Sequence, residues 1–178
     1  MADFTTLPAI LAAPGEVHVR FLTPADGELL VDLMTRLSPE SLYRRFHLAD
    51  AEMTREEAYE LLPAFLAVDG RDHVALLATV VEDGVEQAIG VARFKRDPGN
   101  PDAEAAVVVR DDWQRQGVGS TLLRQLAKAA RAVGVQRFTA WVQGSNRAAL
   151  GLIATIDAAV SHHPQGGEDL VIVNLVND

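Results

Sequence analysis

The chain has no cysteine among its 178 residues. Disulfides, thiolate metal sites and a cysteine nucleophile are therefore excluded. No stretch reaches the ~18 apolar residues that a membrane-spanning helix requires. Basic residues are in short supply: 16 Lys and Arg stand against 25 Asp and Glu, a formal charge of −9. That balance argues against a broad basic face for nucleic acid and leaves room only for a local basic patch. A basic leader is missing too. Residues 1–16, "MADFTTLPAILAAPGE", have no basic n-region, and Pro8 and Pro14 break their short apolar run. This segment reads as a flexible or surface-packed extension rather than a signal peptide. A soluble cytoplasmic protein is the default expectation, with one folded domain over residues 17–178.

Hydrophobic residues make up 48% of the chain, enough for a single core. "VHVRFL" (17–22) reads as a strand, and "TPADGELLVDLMTRL" (23–37) as a helix with Thr23 as N-cap and Pro24 at the first position. "SPESLYRRFH" (38–47) starts a second short helix in the same way, and "TREEAYELLPAFLAV" (54–68) is a third helical piece interrupted by Pro63. The period then changes. "HVALLATVVE" (73–82) and "QAIGVARFKR" (87–96) form a hairpin around "DGVE", and "AEAAVVVR" (103–110) is a further strand. A helix over 118–133 carries Leu122, Leu126, Ala129 and Val133 on one stripe, with Gly134 as its C-terminal cap. "QRFTAWVQ" (136–143) is a strand, "NRAALGLIATI" (146–156) a short helix capped by Asn146, and a hairpin around "HPQGGE" closes the chain. The order predicts a mixed α/β domain, not an alternating doubly wound one.

The question is what Gly117 and Gly119 do in "DDWQRQGVGSTLL", ahead of the long helix. A dinucleotide loop would need a third glycine where Leu122 stands, and a phosphate loop would need a lysine that is absent. Two readings remain. The unsatisfied N–H groups at the helix start form an anion cradle that a Cβ would block, or the glycines let strand and helix pack tightly.

The stretch "VVVRDDWQRQGVGSTLLRQLAKAARAVGVQRFTAWVQGSNRAAL" resembles the GNAT superfamily of acetyl-CoA-dependent N-acetyltransferases. Gln114, Gly117 and Gly119 match its Gln/Arg-x-x-Gly-x-Gly/Ala motif, and the element order agrees from about residue 17 onward. "LSPESLYRRF" and "DHVALLA" look, more narrowly, like the acetyltransferase domains of bacterial protein-lysine acetylation enzymes. The resemblance implies a mostly antiparallel sheet splayed between its fourth and fifth strands, 103–110 and 136–143. It implies acetyl-CoA as co-substrate, its pyrophosphate on the main chain of Gln114, Arg115, Gln116, Gly117, Val118, Gly119 and Ser120. Val107, Val108 and Val109 would flank the pantetheine arm. Asn146 would touch the cofactor, and Arg115 and Arg147 would be placed for its 3′-phosphate. A small-molecule or protein amine is the implied acceptor; nucleic acid and membrane are not implied partners, and a homodimer stays open.

Acetyl transfer needs a base, and related members carry a glutamate in the strand that Glu104 occupies. A partly buried carboxylate there would have its pKa raised; an exposed strand glutamate is the alternative. The tyrosine that many members use to protonate the thiolate is missing, with Ile153 at its position and Tyr43 and Tyr59 far upstream. A catalytically weak coenzyme A-binding module and a structural domain with an empty slot therefore stand beside N-acetyl transfer. The histidines are scattered, or adjacent at His162 and His163, so no metal site is expected. Trp113 and Trp141 read as core or pocket wall. Tyr43, Arg44, Arg45 and Phe46 lie either along an acceptor channel or in a packed helix with solvated arginines.

Overall fold

β-Branched and aliphatic residues fill the strand β3 (His73–Glu82), and it is buried without a break from His73 to Val80. A strand buried on both faces belongs at the centre of a sheet, with helices on either side. The computed structural model describes residues 10–12, 15–46, 52–143, 145–156 and 158–176. Around β3 lie β1 (Ile10–Ala12), β2 (Gly15–Phe21), β4 (Val85–Lys95), β5 (Asp102–Val109), β6 (Arg137–Gln143), β7 (Ala159–Gln165) and β8 (Glu168–Asn174). Their order across the sheet is β1-β2-β3-β4-β5-β6-β8-β7. Every pairing is antiparallel except β5 with β6.

The helices are α1 (Gly27–Thr35), α2 (Pro39–Phe46), α3 (Arg55–Leu66), α4 (Val118–Ala132) and α5 (Arg147–Ile153). They divide between the faces. Leu122, Leu126 and Ala130 of α4 pack on Leu76, Ile89 and Phe94. On the opposite face Leu30, Leu33 and Leu42 of α1 and α2 pack with Leu77, Val91 and Val108.

Three expectations need correcting. Thr23 and Pro24 open a 3₁₀ turn (Pro24–Asp26) that leads into α1, because the Asp26 carboxylate accepts from the Thr23 N–H at 2.7 Å and tightens the start. Pro63 does not interrupt α3, which runs through it. The proline is exposed, so the carbonyl it fails to bond lies on the water side. The closing strands run further than expected, with Pro164 and Gln165 in the ladder and only Gly166 and Gly167 at the turn. Of the extension 1–16, residues 1–9 and 13–14 lie outside the described residues, while Ile10–Ala12 pairs with Gly15–Val17.

Arg96 fastens several elements together. Its side chain is 4% exposed, and Nε lies 2.7 Å from Asp72 ahead of β3. Its terminal nitrogens donate to the Asn100 carbonyl at 3.2 Å and, at the end of α4, to the Val133 carbonyl at 2.8 Å. Arg96→Met strands these acceptors and is expected to cost about 3 kcal/mol in denaturant unfolding, as for other broken buried pairs. Arg137→Met, which removes an exposed pair with Asp102, should leave the midpoint unmoved.

Candidate active site

β5 and β6 share only three register pairs, Asp102 with Arg137, Ala103 with Phe138 and Glu104 with Thr139. Beyond them the strands part. Each keeps its antiparallel neighbour, β4 for one and β8 for the other, so the sheet stays intact around the opening. The resulting cleft has a volume of about 530 Å³ and is walled by Ala105–Val109, Ala140–Gln143 and the starts of α4 and α5. Val107, Val108 and Val109 all line it, and on one side their main chain faces no strand.

At the head of the cleft the chain turns from β5 into α4. The Arg110 N–H donates to the Ile89 carbonyl at 2.8 Å, and its guanidinium is held by Glu82 at 2.8 Å and Asp112 at 2.7 Å. Trp113 is buried beneath the turn, so it is core. The Gln114 side-chain amide donates to the Val109 carbonyl at 3.0 Å. Arg115 and Gly117 then take left-handed φ values of 60° and 84°, and α4 begins at Val118 with its first N–H groups lacking intrahelical acceptors.

The two glycines have different reasons. At Gly117 the protein leaves open space for a side chain, but φ is 84°, which costs an L-residue roughly 1–2 kcal/mol. At Gly119 the backbone is ordinary. A Cβ there would meet Leu152 at 3.4 Å and Val109 at 3.5 Å, normal contact distances to two cleft-lining side chains. Tight packing therefore does not demand glycine at 119, whereas it does at Gly90, where a Cβ would come 3.1 Å from the Val108 carbonyl. The space that Gly119 leaves belongs to the cleft.

Gln114, Arg115, Gly117, Gly119, Ser120 and Asn146 line the cleft together. The Asn146 side chain also caps α5 by accepting from the Ala149 N–H at 3.1 Å. The side chains of Gln116 and Val118 turn away: the first donates to the Asp112 carbonyl at 2.8 Å and the second is in the core. Arg147 is exposed and outside the lining.

Glu104 lines the cleft and is exposed, the alternative to a partly buried carboxylate. Alternation along β5 is the reason. Ala103 goes to the α4 face, so Glu104 points to the other, where its charge acts on Arg45 and Arg93. Trp141 is a wall residue, half-exposed in the cleft. Ile153 is buried where a hydroxyl was sought, and neither tyrosine is in the lining; Tyr59 instead donates to Glu28 at 2.6 Å. Among the described residues no three His, Asp or Glu side chains converge as a metal-binding group.

One connection was not legible beforehand. Asp111 accepts from the Ser38 N–H at 2.9 Å, the Ser38 hydroxyl at 2.7 Å and the Ser41 hydroxyl at 2.8 Å, tying the start of α2 to the glycine loop. Burial pushes the Asp111 carboxyl up, but these donors outweigh it and hold it below the usual aspartate range. A folded value below the unfolded one, about 3.9, means that the contribution is complete above that pH. It is lost as pH falls through the folded value. Asp111→Asn is thus expected to flatten the acid limb of a plot of Tm against pH between about pH 5 and pH 2. An acid limb as steep as that of the unaltered chain would remove the latch.

The sequence model of the acetyltransferase (GNAT) family matches residues 36–155. Acetyltransferase Pat of Mycolicibacterium smegmatis is 36% identical over 150 residues, 83% of this chain and 43% of that protein. An acetyltransferase of Pseudomonas aeruginosa is 27% identical over 155 residues, 87% of this chain and 81% of the other. The chain thus spans less than half of the mycobacterial relative and most of the pseudomonad one. The crystal structure of the GNAT domain of S. lividans PAT superposes with a TM-score of 0.79 at 26% identity, over 94% of this chain and 96% of that domain. With a family model over most of its length and that family's parted sheet and glycine-led helix, the chain belongs to the GNAT acetyltransferases, enzymes whose acyl donor is acetyl-CoA.

Proposed function

We propose that this chain transfers an acetyl group from acetyl-CoA directly to a primary amine, on a small molecule or a protein lysine. The observation that carries the reading is the opening between β5 and β6, which leads to a helix start whose second residue is a glycine that packing does not require. Acetyl-CoA supplies the acyl group already activated as a thioester. The main chain of Val107, Val108 and Val109 pairs with its extended arm, as an added strand would. The Gln114 N–H is taken by the Asp111 carbonyl at 3.3 Å, so the N–H groups of the loop from Arg115 to Ser120 hold the diphosphate, helped by the dipole of α4. Asn146 adds a side-chain amide, and Arg115 a cation at the mouth.

Glu104 serves as the base. From its exposed position it takes the proton of the attacking amine through water, while the amine nitrogen bonds to the carbonyl carbon and the carbon–sulfur bond breaks. Ile153 stands where a tyrosine hydroxyl was sought, and the Thr155 hydroxyl in the lining already donates to the Leu152 carbonyl at 2.7 Å, so solvent returns the proton of the departing thiolate. That same feature favours a second reading, a coenzyme A-binding module with slow chemistry.

Gly119→Val should abolish acetyl-CoA binding in calorimetry with Tm almost unchanged; undiminished affinity would remove the cradle. Glu104→Gln should lower kcat about 100-fold, the low end for a general base, with donor affinity unaltered. Tight acetyl-CoA binding without thiol release against any amine would leave the second reading.

A further inference from the structure

Arg45 of α2 and Arg93 of β4 reach the same aromatic ring. The Arg45 guanidinium carbon lies 5.6 Å from the Phe65 centroid and 5.0 Å from that of Phe46, and the Arg93 carbon lies 4.5 Å from Phe65. Cation–π contact holds both groups in place but leaves their N–H donors, five on each, largely unused. Arg93 donates to the Ala64 carbonyl at 3.2 Å, and Arg45 makes no side-chain hydrogen bond among the described residues.

This sets the pair apart within the molecule. Arg20, Arg96 and Arg110 are likewise withdrawn from water, and each has a carboxylate within 2.7–2.8 Å. Arg45 and Arg93 are the half-buried arginines without an ion pair among the described residues. Burial holds both guanidiniums below their ordinary range; the like charge of Arg93 adds to the effect on Arg45, and the charge of Glu104 opposes it on both. Arg45, Arg93 and the exposed Lys95, which is paired in register with Glu104, set three cations around one carboxylate, in a chain whose formal charge is −9. Among the described residues the two arginines have no carboxylate in an ion pair, so the cluster takes a further anion. Arg45 and Glu104 both line the cleft, and Arg93 shares the Phe65 ring with Arg45, so such an anion would arrive with the acceptor.

We propose that Arg45 and Arg93 bind a carboxylate carried by the acceptor itself, so that this chain acetylates amines bearing a free carboxylate in preference to purely cationic amines. The inference rests on the N-acetyltransfer reading and specifies its acceptor. A guanidinium fork matches a carboxylate in shape and charge. The amine of such an acceptor is drawn to Glu104, while its carboxylate relieves the repulsion between the arginines. An acceptor with positive charge alone meets both arginines unneutralised, which selects against it.

The test uses matched acceptors that differ by one charge: phenylalanine against phenylalaninamide, and Nα-acetyl-lysine against its amide. Thiol release from acetyl-CoA by the full chain is expected to show kcat/KM roughly tenfold or more higher for the free carboxylate, chiefly through KM. Arg45→Gln and Arg93→Gln should each bring that ratio toward one while acetyl-CoA affinity stays put, and Arg45→Lys should restore part of it. Equal use of acid and amide, or a ratio unmoved by both substitutions, overturns the proposal. Calorimetry of phenylalanine and its amide on the coenzyme A-loaded chain separates the two levels. Binding of the acid but not the amide, without turnover, supports the carboxylate site and removes the transfer reading; binding of neither removes the site.

Discussion

Everything at this site depends on two parallel strands that pair for three residues and then separate. A crossover through α4 brings β6 beside β5, and parallel strands would ordinarily stay paired along their length. Here neither needs the other, because β4 supports β5 from Gly90 to Lys95 and β8 supports all of β6. The parting leaves strand edges inside the sheet, and backbone groups removed from water require partners. An extended ligand with its own amides is a natural complement. The glycine loop, α5 and Ser41 of α2 all stand along the borders of this opening.

Charge is distributed with the same economy of place. In an acidic chain, the arginines that brace the fold are matched to carboxylates: Arg20 to Asp26, Arg96 to Asp72, and Arg110 to Glu82 and Asp112. These pairs fix loop exits and strand ends where hydrophobic contact alone gives no direction. Among the described residues, Arg45 and Arg93 on the Phe65 ring and the left-handed Arg115 are three cations without a carboxylate partner, and Arg45 and Arg115 line the cleft. They put positive charge where the net charge of the chain would otherwise repel an anionic donor.

Much of the architecture was legible because period and punctuation agree along most of the chain. The valine run in "AEAAVVVR", the stripe from Leu122 to Val133, the helical stretch from Thr54 and the cap at Asn146 locate β5, α4, α3 and α5 within a few residues. Local signals failed where tertiary position decides. Pro63 is tolerated because it faces water, and Glu104 is exposed because its neighbour Ala103 takes the buried face. The bulge that offsets β4 against β3 near Ala78, next to the crowded Gly90, has no distinct spacing in the sequence. Nor does the meeting of Ser38 with Asp111, 73 residues apart, since a serine before a proline serves equally well as a simple helix start.

That last contact has a thermodynamic meaning. One carboxylate belongs at once to the loop that begins α4 and to the helix that walls the other end of the cleft, and the Gln114 amide touches Ser41 from the same loop at 3.2 Å. A joint of this kind makes the two ends reciprocal. By whatever factor a ligand on the loop tightens the hold on a ligand beside α2, the second tightens the first by the same factor. Cooperativity between two ligands at these ends would then pass through a single aspartate, and not through any contact between the ligands themselves.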